Sequence, residues 1–395
     1  MGAKVGSRME GDELVITLEG NIDSGNSAKI EEDIAAVRKA NPASSFYMDA
    51  EKLNYISSAG LRILLRLRKE QKHLKVINVS PEVYEILETT GFSELLEVQK
   101  AYRVISVEGC KVIGKGANGA VYRIDRDTIV KVYHNPDSLP EIHRERELAR
   151  TAFILGIPTA IPYDVVRIKG GGYGSVFELL NSTSLSDLLS SGEKSVDEVA
   201  QMSMDLLRLI HSTEVAPDAV PNMKNVVVNW VEFLAPYLPA ALHQKLTKLV
   251  QEVPEVDTML HGDYHIKNVM FQNGECLLID MDTICHGHPV FELGSMYNAY
   301  QGFSALDHNV VKDFLGISYE TGHELWRKSL ALYLGTEDEK KLDDVEAKAQ
   351  VIGFTRLLRR SIRRNGLDDP KEKLFIQYCQ DTLAKLLPAL DTLTF

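Results

Sequence analysis

The segment His261-Gly262-Asp263-Tyr264-His265-Ile266-Lys267-Asn268 sets an acid and an amide in one short loop, and a second acid, Asp280, ends the apolar run Cys276-Leu277-Leu278-Ile279. Phosphoryl transfer needs an acid to receive a hydroxyl proton and two side-chain oxygens to hold magnesium against the phosphates of ATP. Asp263, Asn268 and Asp280 offer those groups. Upstream, Gly114, Gly116 and Gly119 stand at G-x-G-x-x-G spacing between β-type residues, and Ile129-Val130-Lys131-Val132-Tyr133 follows with one central lysine. The glycines would let backbone N–H groups approach the phosphates, and Lys131 would bring a positive charge to them. A dinucleotide-binding loop would open a helix directly after the glycines, whereas Val121-Tyr122-Arg123-Ile124 continues a strand.

These groups must be carried by a β-hairpin, a helix and a pair of loops. A buried lysine needs a counter-charge. The charged, then apolar helical run Arg144-Glu145-Arg146-Glu147-Leu148 offers Glu147 as the expected partner of Lys131, with Glu145 second.

Composition bounds the rest. The chain has 395 residues, 44% hydrophobic and 25% charged, with 44 Lys+Arg against 56 Asp+Glu and a net charge of −12. That balance is ordinary for a soluble protein and argues against nucleic-acid or anionic-membrane partners. Cys110, Cys276, Cys285 and Cys379 show no framework spacing, which predicts reduced thiols in a cytoplasmic protein. Cys285-His286-Gly287-His288 is read as polar loop residues rather than a zinc site. No apolar run reaches spanning length, and the start lacks a signal-peptide core, so neither export nor anchoring is expected.

The first hundred residues alternate strand-like segments (Glu13 to Leu18, Ser45 to Met48, Leu74 to Val79) with helix-like ones (Ser27 to Ala40, Gly60 to Lys69, Pro81 to Thr90). The last helix is the best punctuated, with Ser80 as N-cap, Pro81 at its first position and Gly91 beyond its end. Residues 1–100 are therefore expected to form a small α/β domain, joined without a Pro/Gly/Ser-rich tether to a second domain over 101–395.

Two resemblances sharpen this reading. Asp49 to Leu65, with Ser57-Ser58-Ala59-Gly60 at its centre, resembles the signature of STAS domains, the fold of bacterial anti-anti-sigma factors, whose phosphorylated serine falls on Ser58. Ser57 stands where that family often has an acid, and Ala59 where it has a hydroxyl residue. Read from the residues alone, Ser58 is an N-cap. Residues from about 103 to 300 resemble the aminoglycoside phosphotransferase and choline kinase group, on the glycine loop, Lys131, the helix of Glu147, the His-Gly-Asp loop, Ile279-Asp280 and the Leu207 to His211 stretch. The resemblance implies a mixed-sheet STAS domain followed by an α+β, bilobal kinase-like fold (N-lobe about 103–180, C-lobe about 181–395). It further implies Asp263 as catalytic base, Asn268 and Asp280 as magnesium ligands, and Gly114, Gly116, Gly119, Lys131 and Glu147 as the ATP-binding set. Val176 to Leu180 resembles the hinge, with Glu178 and Leu180 at the adenine.

Gly262 and His265 replace the arginine and lysine usual in protein-serine kinases, which favours a small-molecule alcohol. Glu292-Leu293 stands where Asp-Leu is common, and Asp282 is a further acid near the metal ligands. Arg356, Arg359, Arg360, Arg363 and Arg364 fall on one helical face, read either as solvated and paired with acids or as a surface for an anionic substrate or acidic partner. The leading expectation is an ATP- and magnesium-dependent phosphotransferase acting on a small-molecule hydroxyl, with a STAS domain for regulation or for an anti-sigma-type partner. The alternatives are a serine kinase that modifies a STAS serine, with Ser58 as the candidate phosphosite, and a nucleotide-binding signalling scaffold.

Overall fold

A computed structural model describes residues 3–395 apart from Ser44, Ala117, Asn181 and Asn365. By its contacts the chain divides into two units, Met1–Ser106 with Val166–Lys169, and Val107–Val165 with Gly170–Phe395.

The first unit is built on a five-stranded mixed sheet in the order β1-β2-β3-β4-β5: β1 (Lys4–Glu10), β2 (Glu13–Ile22), β3 (Ser45–Ile56), β4 (Lys75–Val79) and β5 (Glu97–Lys100). Only β1 and β2 are antiparallel, joined by a tight turn, and the other neighbours run parallel. Parallel neighbours require crossovers, which α1 (Ser27–Ala40), α2 (Ser58–Glu70), and α3 (Pro81–Thr89) with the short α4 (Phe92–Leu95) supply. Leu14, Ile16, Met48 and Val76 from the strands pack with Ile30, Leu64 and Leu87 from the helices in one core. The α3 punctuation matches the sequence: Ser80 accepts from the Val83 N–H, Pro81 opens the helix, and Gly91 beyond its end has φ 75°. A sixth strand, β6 (Arg103–Ile105), pairs in parallel with Val166–Ile168.

The α2 start corrects one expectation. Ser57, not Ser58, is the N-cap, neither serine makes a side-chain capping bond, and Ser58 is exposed as the first helical residue. The Ser57 N–H bonds the Ile22 carbonyl, which fixes the strand-to-helix turn one residue earlier than the sequence suggests.

The second unit begins with an antiparallel sheet in the order β11-β9-β8-β7, from β7 (Lys111–Lys115), β8 (Gly119–Arg123), β9 (Thr128–Tyr133) and β11 (Tyr173–Glu178); β10 spans Asp164–Ile168. Helix α5 (Leu139–Ile154) lies between β9 and β10 in the chain. A helical region follows, built from β12 (Thr183–Ser184), α6 (Leu185–Ser190), α7 (Val196–His211), α8 (Met223–Phe233), α9 (Ala240–Gln251), α10 (Val290–Tyr300), α11 (Asn309–Leu315), α12 (Tyr319–Leu334), α13 (Glu339–Arg363) and α14 (Pro370–Leu386). Two small sheets carry its loops: β14 (Val269–Gln272) pairs with β15 (Glu275–Leu278) and β12, and β13 (Met259–Leu260) pairs with β16 (Cys285–His286). Thus Cys285 and His286 lie in a strand, with His286 Nδ1 at the Val256 carbonyl. Every described residue of α10 is buried, since the helix is enclosed by α12 and α13. Among the described residues no helix is long and apolar enough to cross a membrane.

A Cβ at Gly60 would lie 2.6 Å from Ile56 Cγ1 and 2.8 Å from Ile22 Cγ2. Alanine normally gains about 1 kcal/mol over glycine inside a helix, but overpacking a core costs about 1–3 kcal/mol. Gly60→Ala is therefore expected to lower stability on balance. Urea unfolding of the full chain with a probe in the N-terminal unit checks this, and an unchanged or higher midpoint would refute the packing argument.

Candidate active site

The central strand β9 aligns Lys131 with Val121 of β8 and Ser175 of β11. Its side chain is 15% exposed, with Nζ 2.9 Å from Glu145 Oε1 and 3.0 Å from Asp280 Oδ1. Burial alone would lower the ammonium pKa; the charges of Glu145 and Asp280 outweigh it and hold the pKa above its ordinary value. Tyr133 donates its hydroxyl to the same Glu145 carboxylate.

The expected partner Glu147 is not used: its side chain is 69% exposed, 4.0 Å from Arg150. The reason is helical phase. The buried face of α5 runs through Ile142, Glu145, Leu148, Ala149 and Ala152, and a residue two positions beyond Glu145 points about 200° away.

The glycine loop closes through the Gly116 N–H on the Gly119 carbonyl at 2.9 Å, with Gly114 in β7 and Gly119 opening β8. Asn118 at its tip donates to Asp282 Oδ2 at 3.1 Å. Glu178 ends β11 opposite Thr128, and Leu180 lies just beyond, after Leu179 donates its N–H to the Asp127 carbonyl.

The loop between β13 and β14 is braced by a carboxylate that sequence reading recorded only as a departure. Glu292 of α10 is fully buried and accepts the backbone N–H groups of His261, Gly262 and Tyr264. Burial pushes this carboxyl up, but the neighbouring His211 and His261 rings and the Gly262 N–H hold it below the usual range. Gly262 has φ +81°, and a Cβ there would lie 2.4 Å from the Thr283 carbonyl oxygen, so no side chain fits at this turn. His261 Nδ1 accepts the Asp263 N–H, which leaves Nε2 to donate to the Ile279 carbonyl at 3.2 Å. The Ile279 N–H in turn donates to the Asn268 carbonyl at 3.0 Å. These bonds tie the loop bearing Asp263 to the one bearing Asp280.

Asp263 is 40% exposed on its side chain, and Oδ1 receives Arg356 Nη2 at 3.1 Å and Ser295 Oγ at 3.3 Å. Arg356 also donates to the Gly262 carbonyl and to Ser295. Desolvation raises the Asp263 pKa, but the charge of Arg356, with the hydrogen bond from Ser295, brings it below the usual carboxylate value. His265 lies with Nε2 3.8 Å from Asp263 Oδ2, and burial lowers its pKa to about 4, so the ring is neutral at pH 7. Asn268 commits Nδ2 to the Asp263 backbone carbonyl, which leaves its side-chain Oδ1 for a ligand. Asp280 adopts the left-handed conformation (φ 62°, ψ 62°), rare for a non-glycine residue and common where function imposes strain. Asp282 is pushed up to about 6 by burial and by the charge of Asp280.

Lys131, Asp263, Asn268 and Asp280 thus converge, with the glycine loop tied to them through Asn118. Glu147 does not join them. Arg356 and Ser295 were not anticipated as site residues, and the one available sign was the arginine periodicity of α13.

A strand-borne lysine paired to a helix glutamate, beside an acid-bearing loop and a second acid, defines a kinase-like phosphotransferase fold. The family model described as the phosphotransferase enzyme family matches residues 109–327, and the STAS domain model matches residues 7–104. With more than half of its length matched, the chain belongs to the phosphotransferase enzyme family, and it carries an N-terminal STAS domain. The chain is 36% identical over 90 residues to BtrV of Bordetella bronchiseptica, named as an anti-sigma factor antagonist, covering 22% of this chain and 76% of that protein. A thermostable mutant of the aminoglycoside phosphotransferase APH(4)-Ia, in ternary complex with AMP-PNP and hygromycin B, is 12% identical with a TM-score of 0.50, over 71% of this chain and 93% of that one. A choline/ethanolamine kinase family protein of Mesorhizobium loti is 14% identical with a TM-score of 0.47, over 70% and 87%. At 12% identity the likeness to the APH(4)-Ia complex speaks to fold alone.

Two outcomes are expected. Glu145→Gln should cost about 2–3 kcal/mol, at or below the usual 3–5 kcal/mol for breaking a buried pair because Asp280 still faces Lys131; Glu147→Gln should change stability by less than about 0.5 kcal/mol. Thermal unfolding of the two variants checks the ordering. For Glu292, the depressed native pKa contributes stability that is fully present above the unfolded value of about 4.3 and is lost as pH falls through the native one. Glu292→Gln should therefore be less stable than wild type at pH 7, and the gap should narrow as pH falls below about 4. A gap that stays constant across pH 3–7, measured by urea unfolding in that roughly chosen window, would refute this role.

Proposed function

We propose that this chain transfers the γ-phosphoryl group of ATP, with magnesium, to a hydroxyl of a small molecule, and that its STAS domain serves regulation or the docking of a partner. The observation that carries the reading is the Asp263 carboxylate: Oδ1 is fixed by Arg356 and Ser295, so Oδ2 is left to receive a proton in a defined direction. In the reaction the acceptor oxygen forms a bond to the γ-phosphorus, the bond from that phosphorus to the bridging oxygen breaks with its electron pair retained by ADP, and the hydroxyl proton passes to Asp263 and then to solvent.

Gly114, Gly116, Gly119 and Lys131 would hold the phosphates, with Glu145 rather than Glu147 keeping Lys131 in position, and Glu178 and Leu180 would flank the adenine. The Asp280 carboxylate and the Asn268 side-chain Oδ1 are hard oxygen donors, the chemistry magnesium takes, and Asp282 is a third nearby acid. Magnesium would supply charge neutralisation at the phosphates. The AMP-PNP complex of APH(4)-Ia supports nucleotide binding by this fold. A neutral His265 and a side-chain-free Gly262, in place of a protein kinase's lysine and arginine, support a small acceptor.

Asp263→Ala is expected to lower phosphoryl transfer by roughly 10²–10⁴-fold while leaving nucleotide affinity nearly unchanged. Labelled-ATP turnover against metabolite pools, alongside nucleotide titration, checks this; retained turnover would remove Asp263 as the base.

One observation favours a second reading, a serine kinase in a partner-switching system. Ser58 is exposed at the first position of α2, where the helix dipole favours a phosphate. The likeness to an anti-sigma factor antagonist supports an anti-sigma-type partner for this surface. Mass spectrometry after ATP incubation separates the readings. Phosphate on Ser58 in wild type but not in Asp263→Ala supports the serine kinase, whereas unmodified Ser58 beside a phosphorylated metabolite supports the small acceptor.

A further inference from the structure

Helix α13 carries Arg356, Arg359, Arg360 and Arg363 on one face, with Arg364 as its C-cap, and Arg356 is committed to Asp263, Gly262 and Ser295. The next two are differently placed. The Arg359 guanidinium lies 5.8 Å from the Trp230 ring centroid and 5.9 Å from that of Phe233, and Arg360 lies 5.0 Å from that of Phe303. Both are half-buried, and among the described residues neither has a carboxylate within ion-pair distance. Arg359 Nε is buried and, among the described residues, has no hydrogen-bond partner.

Desolvation and Arg363 disfavour the charge on Arg359; desolvation and Arg364 do so on Arg360, with Glu372 and Asp263 acting in the opposite sense. Aromatic faces offset part of that cost, but they leave the in-plane N–H directions of a guanidinium unfilled. The helix C-terminus accounts for cations in the last turn. It does not account for a buried Nε with no acceptor. The acids of α13 are engaged elsewhere, Glu339, Asp343 and Glu346 with Arg327 and Asp344 with Lys348.

We propose that Arg359 and Arg360 form an anion subsite that holds a carboxylate or phosphate of the alcohol phosphorylated at Asp263. This rests on the phosphotransferase reading above and specifies its substrate class. Arg356 contacts Asp263 and shares the Trp230 face with Arg359. About one helical turn of α13 separates Arg356, at the base, from Arg359 and Arg360, and the charge of Asp263 acts on Arg360, so the subsite adjoins the base. The planar guanidinium fork suits either oxyanion. A polycationic acceptor would meet repulsion there.

The test uses the full chain with ADP and magnesium and three compounds on one carbon skeleton: glycerol, D-glycerate and glycerol 3-phosphate, with an aminoglycoside as the cationic comparison. Calorimetric titration is expected to give at least a tenfold lower Kd for one of the anions than for glycerol, and the arm that binds tells carboxylate from phosphate. Arg359→Gln should weaken that binding about 10- to 100-fold with ADP affinity unchanged, and Arg359→Lys should recover part of it. Arg360→Gln, expected to act in the same direction, replaces any variant whose thermal midpoint shows a folding defect. Glycerol or the aminoglycoside binding as well as the anions, no binding of either anion at millimolar concentration, or an unchanged Kd in both glutamine variants overturns the subsite. Turnover is read separately: anion binding lost in Arg359→Gln without any phosphorylated product keeps the subsite and counts against the phosphotransferase reading.

Discussion

A fully buried carboxylate that receives three consecutive-loop N–H groups is an expensive feature, because each ion taken out of water costs several kcal/mol unless its lone pairs are filled. Glu292 meets that condition with His261, Gly262 and Tyr264. The bonds leave the loop little freedom, and they demand a backbone turn that only a residue without a Cβ can make at Gly262. Because Glu292 and Ser295 share α10, and α10 packs on α13, the brace that shapes the loop also fixes the direction from which Arg356 reaches Asp263.

Two cations of the cleft each divide their donors among several acceptors. Lys131 divides its ammonium between Glu145 and Asp280, and Arg356 divides its guanidinium among Asp263, Gly262 and Ser295. Glu145 is 6% exposed on its side chain and Asp280 is 45% exposed, so the two contacts of Lys131 are unequal in permanence. The first positions the lysine. The second is open to exchange, since Asp280 already faces water.

Local chemistry was legible in the sequence, and long-range chemistry was not. The glycine loop, the strand lysine and the acid-bearing loop are contiguous motifs whose residue types admit few other arrangements. The α3 boundaries were likewise written in Ser80, Pro81 and Gly91. Glu145 and Glu147 are two residues apart in one charged run, and choosing between them requires the phase of α5 against the sheet, set by Ile142 and Leu148 in a core assembled from distant segments. The same holds for Ser57 and Ser58, where a single backbone bond from Ser57 to Ile22 shifts the helix start. Strand β1 went unread because it is mostly exposed and lacks the alternation of a half-buried strand. Arg356 lies 93 positions from Asp263, and periodicity marked its helical face without saying what that face meets.

The exposed serine of the STAS domain obeys simpler physics than the cleft. Ser58 opens α2, whose first turn contains no acid, and Arg62 stands one turn farther along the same helix. A phosphate there would meet the positive end of the helix and an arginine at the i, i+4 spacing, so its charge would be accommodated locally rather than opposed. Behind it, Ala59, Gly60 and Leu61 are buried against the core. Charge added at Ser58 would therefore change what the surface presents without disturbing the packing beneath.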